Sequence, residues 1–284
     1  MNLIITNEQL TALLPNVAVT VQGEVPLINK LTPFLNAAEN WVSDTFLSSA
    51  IFAEICTQQD TDTLRNATIQ VVVYEAFRNA LPHLDVILTP NGFGIVSNSN
   101  VAPASKERIT RLLDALLDNR DAAIAQLLTI LSKRPAWLDT EQAEFFRATM
   151  FPDSSLAERF PRSTESRWEQ YLSLRERLIV MEEHIATHYL SAPLMDILRA
   201  QAQSGQFSTT KHKHLCRVLQ SVEIDGLKSV TPAIADNMHH SLVHLVQLVR
   251  SNPDDFPEWH SSSTAELFNP PVFENKKETK GFWF

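Results

Sequence analysis

Histidine and cysteine supply the most suggestive spacings in the chain. His212 and Cys216 stand four residues apart, as do His240 and His244, with His239 adjacent to the latter pair. On a helix that step brings two side chains to one face. Imidazole and thiolate there could hold zinc in tetrahedral geometry, and a metal-dependent enzyme would use such ligands. No CxxC accompanies them, however, and no carboxylate motif fixes a third ligand. Solvated or core-edge histidines account for the pattern more simply, and no metal or other cofactor is expected.

The carboxylates give no acid/base couple. Glu182 and Glu183 are neighbours along a helix and point in different directions. Asp254 and Asp255 lie between Pro253 and Pro257, where a turn is expected. Gly92-Phe93-Gly94 is half of a dinucleotide fingerprint without its third glycine or following helix, and six glycines in 284 residues leave little room for one elsewhere. Neither a G-x-S-x-G elbow nor HExxH occurs. The expectation is a non-enzymatic protein with no catalytic residues. Trp137, Trp168 and Trp259 could anchor an interface, but core packing is the safer expectation.

These residues sit in a chain that reads as mainly α. Thr6 to Gln9 forms a capping box opening a short helix, because the hydroxyl and the amide can each satisfy the other residue's backbone N–H. Val17, Val19 and Val21 suggest an extended segment. One helical stretch runs from Leu31 to Ile55, with Leu31, Phe34, Leu35, Ala38, Trp41, Val42 and Phe46 on one face. A second runs from Leu64 to Leu81 and is stopped by Pro82. Ser105 caps a helix carrying Ile109, Leu112, Leu113, Leu116 and Leu117, and another follows over 120–131. Further helices are expected at Glu141–Arg147, Trp168–Leu190, Leu194–Gln203, Thr209–Val222 and Pro232–Arg250.

Two hairpins are expected beside the helices. Val86-Ile87-Leu88 and Phe93-Gly94-Ile95-Val96 flank Thr89-Pro90-Asn91-Gly92, a turn sequence tolerant of positive φ. At the other end, Phe282-Trp283-Phe284 suggests a last strand on Val272-Phe273, since three free aromatics would expose an apolar patch. Asn91, Gly92, Phe93, Ile95, Phe282, Trp283 and Phe284 are therefore the candidate protein-interface residues, able to extend a neighbour's sheet by edge pairing.

The two halves resemble each other. Leu35 to Val42 aligns without a gap on Leu178 to Ile185, and Thr45 to Phe52 on His188 to Met195, at an offset of 143 residues (182 − 39). Glu39 matches Glu182, Phe46 matches Tyr189, and Leu47-Ser48 matches Leu190-Ser191. A repeated two-helix unit is better supported than duplication of a whole domain, because the first hairpin follows its second helix while the last closes the chain. The organisation expected is an N-terminal helical unit over 1–134, a connector over 135–165, and a C-terminal helical unit over 166–284.

Composition narrows the setting. Hydrophobic residues make up 44% and charged residues 20%, so a core can form. A net charge of -9 argues against direct nucleic-acid binding, which needs clustered cations. Cys56 and Cys216 are expected to be reduced and buried. The first residues lack a basic start and a long apolar run, so neither signal peptide nor membrane span is expected, and a cytoplasmic location follows.

Residues 84–98, followed by Ala102-Pro103-Ala104-Ser105-Lys106-Glu107-Arg108, resemble an uncharacterised family carried in Bacteroidetes phages and prophages. Ser163 to Trp168, leading into the helix with Glu182, is similar too. The first half also resembles the small helical head–tail adaptor proteins of tailed phages, through Ala38-Glu39-Asn40-Trp41-Val42, although such adaptors are about half this length. The resemblance implies a structural role: two adaptor-like units in tandem, in a homo-oligomeric ring contacting portal and tail components, located in the virion. The alternative is a monomeric helical interaction module.

Overall fold

Thr6 performs the expected double cap: its hydroxyl accepts from Gln9 N at 3.2 Å, and its own N–H donates to Gln9 Oε1 at 2.9 Å. This opens α1, Asn7–Leu13. The computed structural model describes residues 3–15, 25–84, 87–89, 92–94, 105–163, 166–228 and 232–269. The valine segment around Val17 to Val21 lies outside them. So do Asn91, Ile95 and the tail with Phe282, Trp283 and Phe284.

The stretch expected as one helix over 31–55 is broken in the middle. It consists of α2 (Leu27–Val42), a π-helical turn (Ser43–Leu47) and α3 (Ser49–Thr57). Periodicity does not reveal such a break, because the apolar step continues through it. Next comes α4, Thr63–Leu84, in which Pro82 stands inside the last turn instead of stopping the helix. Ile87–Thr89 (β1) pairs antiparallel with Gly92–Gly94 (β2), with Leu88 opposite Phe93. For Gly92 and Phe93 this backbone pairing is what the structure describes. Three paired residues on each side leave the architecture mainly helical.

The two helices expected between 105 and 131 are one, α5 (Lys106–Leu131). Its line of buried Leu116, Ile124, Leu127 and Leu131 runs without interruption. Then follow α6 (Pro135–Leu138), α7 (Glu141–Arg147) and a 3₁₀ turn (Ser154–Arg159). Beyond them α8 (Arg167–Ile185) leads into a second π-helical turn (Ala186–Leu190) and α9 (Ala192–Ser204). The chain continues with α10 (Thr210–Leu227), α11 (Pro232–Arg250), α12 (Pro257–His260) and α13 (Ser263–Phe268). The first part of the tail beyond Asn252 is therefore helical.

Two compact units result, one of Met1–Phe146 with Asp153–Leu172, the other of Arg147–Pro152 with Ser173–Phe284. The expected boundary near 134 and the connector over 135–165 do not match this division. Trp137 and Phe146 are core residues of the first unit, fully buried with Phe46. In unit 1, α4 packs between α2 and α5. In unit 2, α10 packs against α11 and α9.

Candidate functional site: a repeated elbow with a buried carboxylate

Each unit turns its chain sharply after a long helix, and the turn is built from the same residue types in the same register. Ser48 has φ 71° and ψ 153°, and Ser191, 143 positions on, has φ 68° and ψ 149°. These are the only non-glycine residues at positive φ among the described residues. That region belongs almost exclusively to glycine, so surrounding structure must hold it.

The holding groups are identifiable. In the π turn of unit 1, Ser48 N donates to Ser43 O at 3.0 Å, and the carbonyls of Asp44 and Phe46 lie at a helix end that lacks intrahelical donors. Trp137 Nε1 donates to Phe46 O at 2.6 Å, and Gln142 Nε2 to Asp44 O at 3.1 Å. In unit 2, Trp259 Nε1 donates to Tyr189 O at 2.8 Å, and Thr264 Oγ1 to Thr187 O at 3.3 Å. The donors correspond at an offset of 122 residues (259 − 137), the acceptors at 143.

The helices that deliver these donors match as well. Pro135 and Pro257 each open a single turn two residues before the tryptophan, where a fixed φ suits the first helical position. Thr140 and Ser262 then cap the next helix, accepting from Ala143 N at 3.2 Å and Ala265 N at 3.3 Å. Phe146 stands 6.2 Å from Trp137 and 5.8 Å from Phe46; Phe268 stands 6.2 Å from Trp259 and 6.5 Å from Tyr189.

One turn before each elbow, a glutamate is buried. Burial pushes Glu39 up to about 7, opposed by the backbone N–H of Leu3 that its carboxylate accepts. Glu182 is likewise raised by burial; it accepts from Met150 N at 2.8 Å and pairs with Arg199 Nε at 2.6 Å. Leu3 and Met150 both precede a capping residue, Thr6 and Asp153. The repeat thus reaches from an entering irregular segment to a closing capped helix. It is larger than the two-helix unit read from sequence, because hydrogen bonds between short segments leave little periodic signal.

The units differ in what faces the glutamate. Cys56 occupies the position that Arg199 takes in unit 2, and the Glu39 charge together with burial raises its thiol. Unit 2 adds Glu223, fully buried, with neither carboxylate oxygen hydrogen-bonded among the described residues. Burial and the nearby Glu182 drive it well above the usual carboxylate range.

Unit 1 holds a second polar cluster. Arg120 is buried and bridges Glu75 at 2.9 Å, Asp121 at 2.9 Å and Ser166 Oγ at 2.9 Å. Desolvation opposes the Arg120 charge, but the two carboxylates raise its pKa on balance. Glu75 in turn is raised by burial yet held below its ordinary value by Arg78 and Arg120. Ser166 and Glu169 form a capping box at the start of α8, and Asp121 Oδ2 accepts from Trp168 N at 3.1 Å. These groups fix backbone.

The histidine and cysteine spacings do not converge. His212 is buried against Phe256, with ring centroids 4.7 Å apart, and its Nδ1 lies 3.0 Å from Thr209 Oγ1. Burial pushes the Cys216 thiol up to about 12, and its sulfur faces Leu198 O. His239, His240 and His244 are exposed, His239 lying 3.1 Å from the Tyr189 hydroxyl. No group of three or more potential metal ligands occurs among the described residues. Trp137, Trp168 and Trp259 are all core residues. Among the described residues no helix is long and apolar enough to cross a membrane.

A model of a family of unknown function (DUF6712) matches residues 23–147. The match begins just ahead of α2 and ends with α7, so it covers one copy of the repeat without its entering segment. No curated protein and no solved structure matches the chain significantly.

Proposed function

We propose that the chain is a structural, non-enzymatic protein of phage or prophage origin, serving as a head–tail connector built from two adaptor-like modules in tandem. The observation that carries the reading is the duplicated elbow. Glu39 and Glu182, with Trp137 and Trp259, are engaged in fixing backbone, and the same device is built twice at matching positions. A scaffold presenting equivalent surfaces at regular intervals is what a ring of connectors requires. The family match, which spans a single module, supports the tandem construction. The phage setting rests on the sequence resemblance of residues 84–108 and 163–168. Expected partners are further copies and the portal and tail components.

Particle composition tests this reading. Particles purified from a host carrying the gene should contain the protein in a fixed ratio to portal, and deleting the gene should yield filled heads separate from tails. Its absence from particles of normal morphology would overturn the reading and leave an interaction module as the better account.

A further inference from the structure

The first residues of α8 belong to unit 1, and their packing there is apolar. Trp168 is 4% exposed. Its ring lies 5.1 Å from Phe46 and 6.0 Å from Phe146, with Tyr171 next to it at 5.6 Å. Trp168 and Tyr171 stand three apart, on one face of α8.

Shifted back by 143 positions, these two residues fall on Val25, two residues ahead of α2, and on Ile28 in its first turn. Both are apolar, yet Val25 is 58% exposed and Ile28 is only half-buried. The receiving face has its counterpart too. Phe46 corresponds to Tyr189 and Phe146 to Phe268. The first pair is fully buried, whereas Tyr189 and Phe268 are half-buried. The ring neighbours of Tyr189 among the described residues are His184, His239 and Phe268. A tryptophan in the place of Trp168 is not among them. Leu267, beside Phe268, is 65% exposed.

Among the described residues, the first module therefore presents two apolar side chains without a receiver, and the second presents the receiver without an insert. We infer that Val25 and Ile28 of one copy of this chain dock on the Tyr189–Phe268 face of a second copy, reproducing between chains the capture of Trp168 and Tyr171 in unit 1. Such a contact is heterologous: each copy gives one face and receives on the other, so association continues head to tail until it closes. The inference deepens the connector reading and rests on its tandem modules, but the contact itself involves no phage component.

Sedimentation velocity of the full chain over a wide concentration range tests it. Wild type should show mass growing with concentration. Val25→Asp, an exposed position whose change spares the core, should stay monomeric. Val25→Trp, which installs the residue type of the second module, should tighten association on the order of tenfold, since tryptophan is the strongest interface anchor. Mixing Val25→Asp with Phe268→Asp should give a one-to-one heterodimer, because each then retains one working face. A wild type that is monomeric throughout, or association indifferent to both Val25 variants, would overturn the inference. A monomer that is nevertheless found in particles would sink this contact and spare the connector. A ring-former absent from particles would do the reverse.

Discussion

Trp137 Nε1 donates a 2.6 Å hydrogen bond to the carbonyl of Phe46, 91 residues earlier in the chain. The bond satisfies a carbonyl that the π turn leaves without an intrahelical donor, inside a fully buried aromatic cluster. Trp259 does the same for Tyr189 in the second unit. Replacing either tryptophan by phenylalanine keeps most of the apolar area and removes the donor. An unpaired buried carbonyl costs about 1–3 kcal/mol. Trp137→Phe and Trp259→Phe should each lower stability by that order in denaturant titrations. An unchanged midpoint would deny the bond its role.

Ser48 and Ser191 hold a conformation that costs on the order of 1–3 kcal/mol for a residue with a side chain. The hydroxyl of Ser191 has no hydrogen-bond partner among the described residues, so glycine there loses nothing polar. Glycine pays more backbone entropy on folding, which offsets part of the gain. Ser191→Gly should still stabilise, by about 1 kcal/mol, and Ser191→Ala should not. Thermal midpoints of the two variants decide the matter.

Glu39, raised by burial to about 7 from an ordinary 4.5, makes stability depend on pH. Between those values the unfolded chain releases the proton that the folded chain keeps. The contribution is therefore fully present below about 4.5 and is lost as pH rises through about 7, by up to roughly 3 kcal/mol. Glu39→Gln keeps an acceptor for Leu3 N–H and removes the titration. The variant should match wild type near pH 4.5 and exceed it at pH 8, as read by urea midpoints. Parallel pH profiles would show Glu39 to be ionised or solvated.

Glu223 is a fully buried carboxyl, pushed well above the usual carboxylate range by burial and by Glu182, with neither oxygen hydrogen-bonded among the described residues. A side chain of similar length without polar atoms removes that penalty. Glu223→Met should raise stability by about 1–3 kcal/mol. A loss of similar size would mean that Glu223 has a partner on which the unit depends.

The long amphipathic helices were legible because their cores follow a 3.6-residue step. Thr6, Glu141–Arg147 and Pro232–Arg250 were readable from caps, prolines and apolar spacing. The repeat announced itself through Glu39 and Glu182 and through Leu47-Ser48 and Leu190-Ser191. Its closing half stayed hidden. Pro135-Ala136-Trp137 and Pro257-Glu258-Trp259 share only the proline and the tryptophan, and their offset differs from that of the elbows. The break at Ser48 was equally silent, since a serine at positive φ has no signature of its own. The buried state of Arg120 could have been suspected only from its setting among Asp121, Ser166 and Trp168, which the fold brings together across 46 residues.

One module occurs twice, each copy locked by an indole on its elbow. Hydrogen exchange of the indole Nε1–H groups, followed by NMR, reads both locks. Two strongly protected indole protons are predicted, one vanishing in Trp137→Phe and the other in Trp259→Phe. Exchange at the rate of an exposed tryptophan at either position would mean that the elbow there is not locked by its indole.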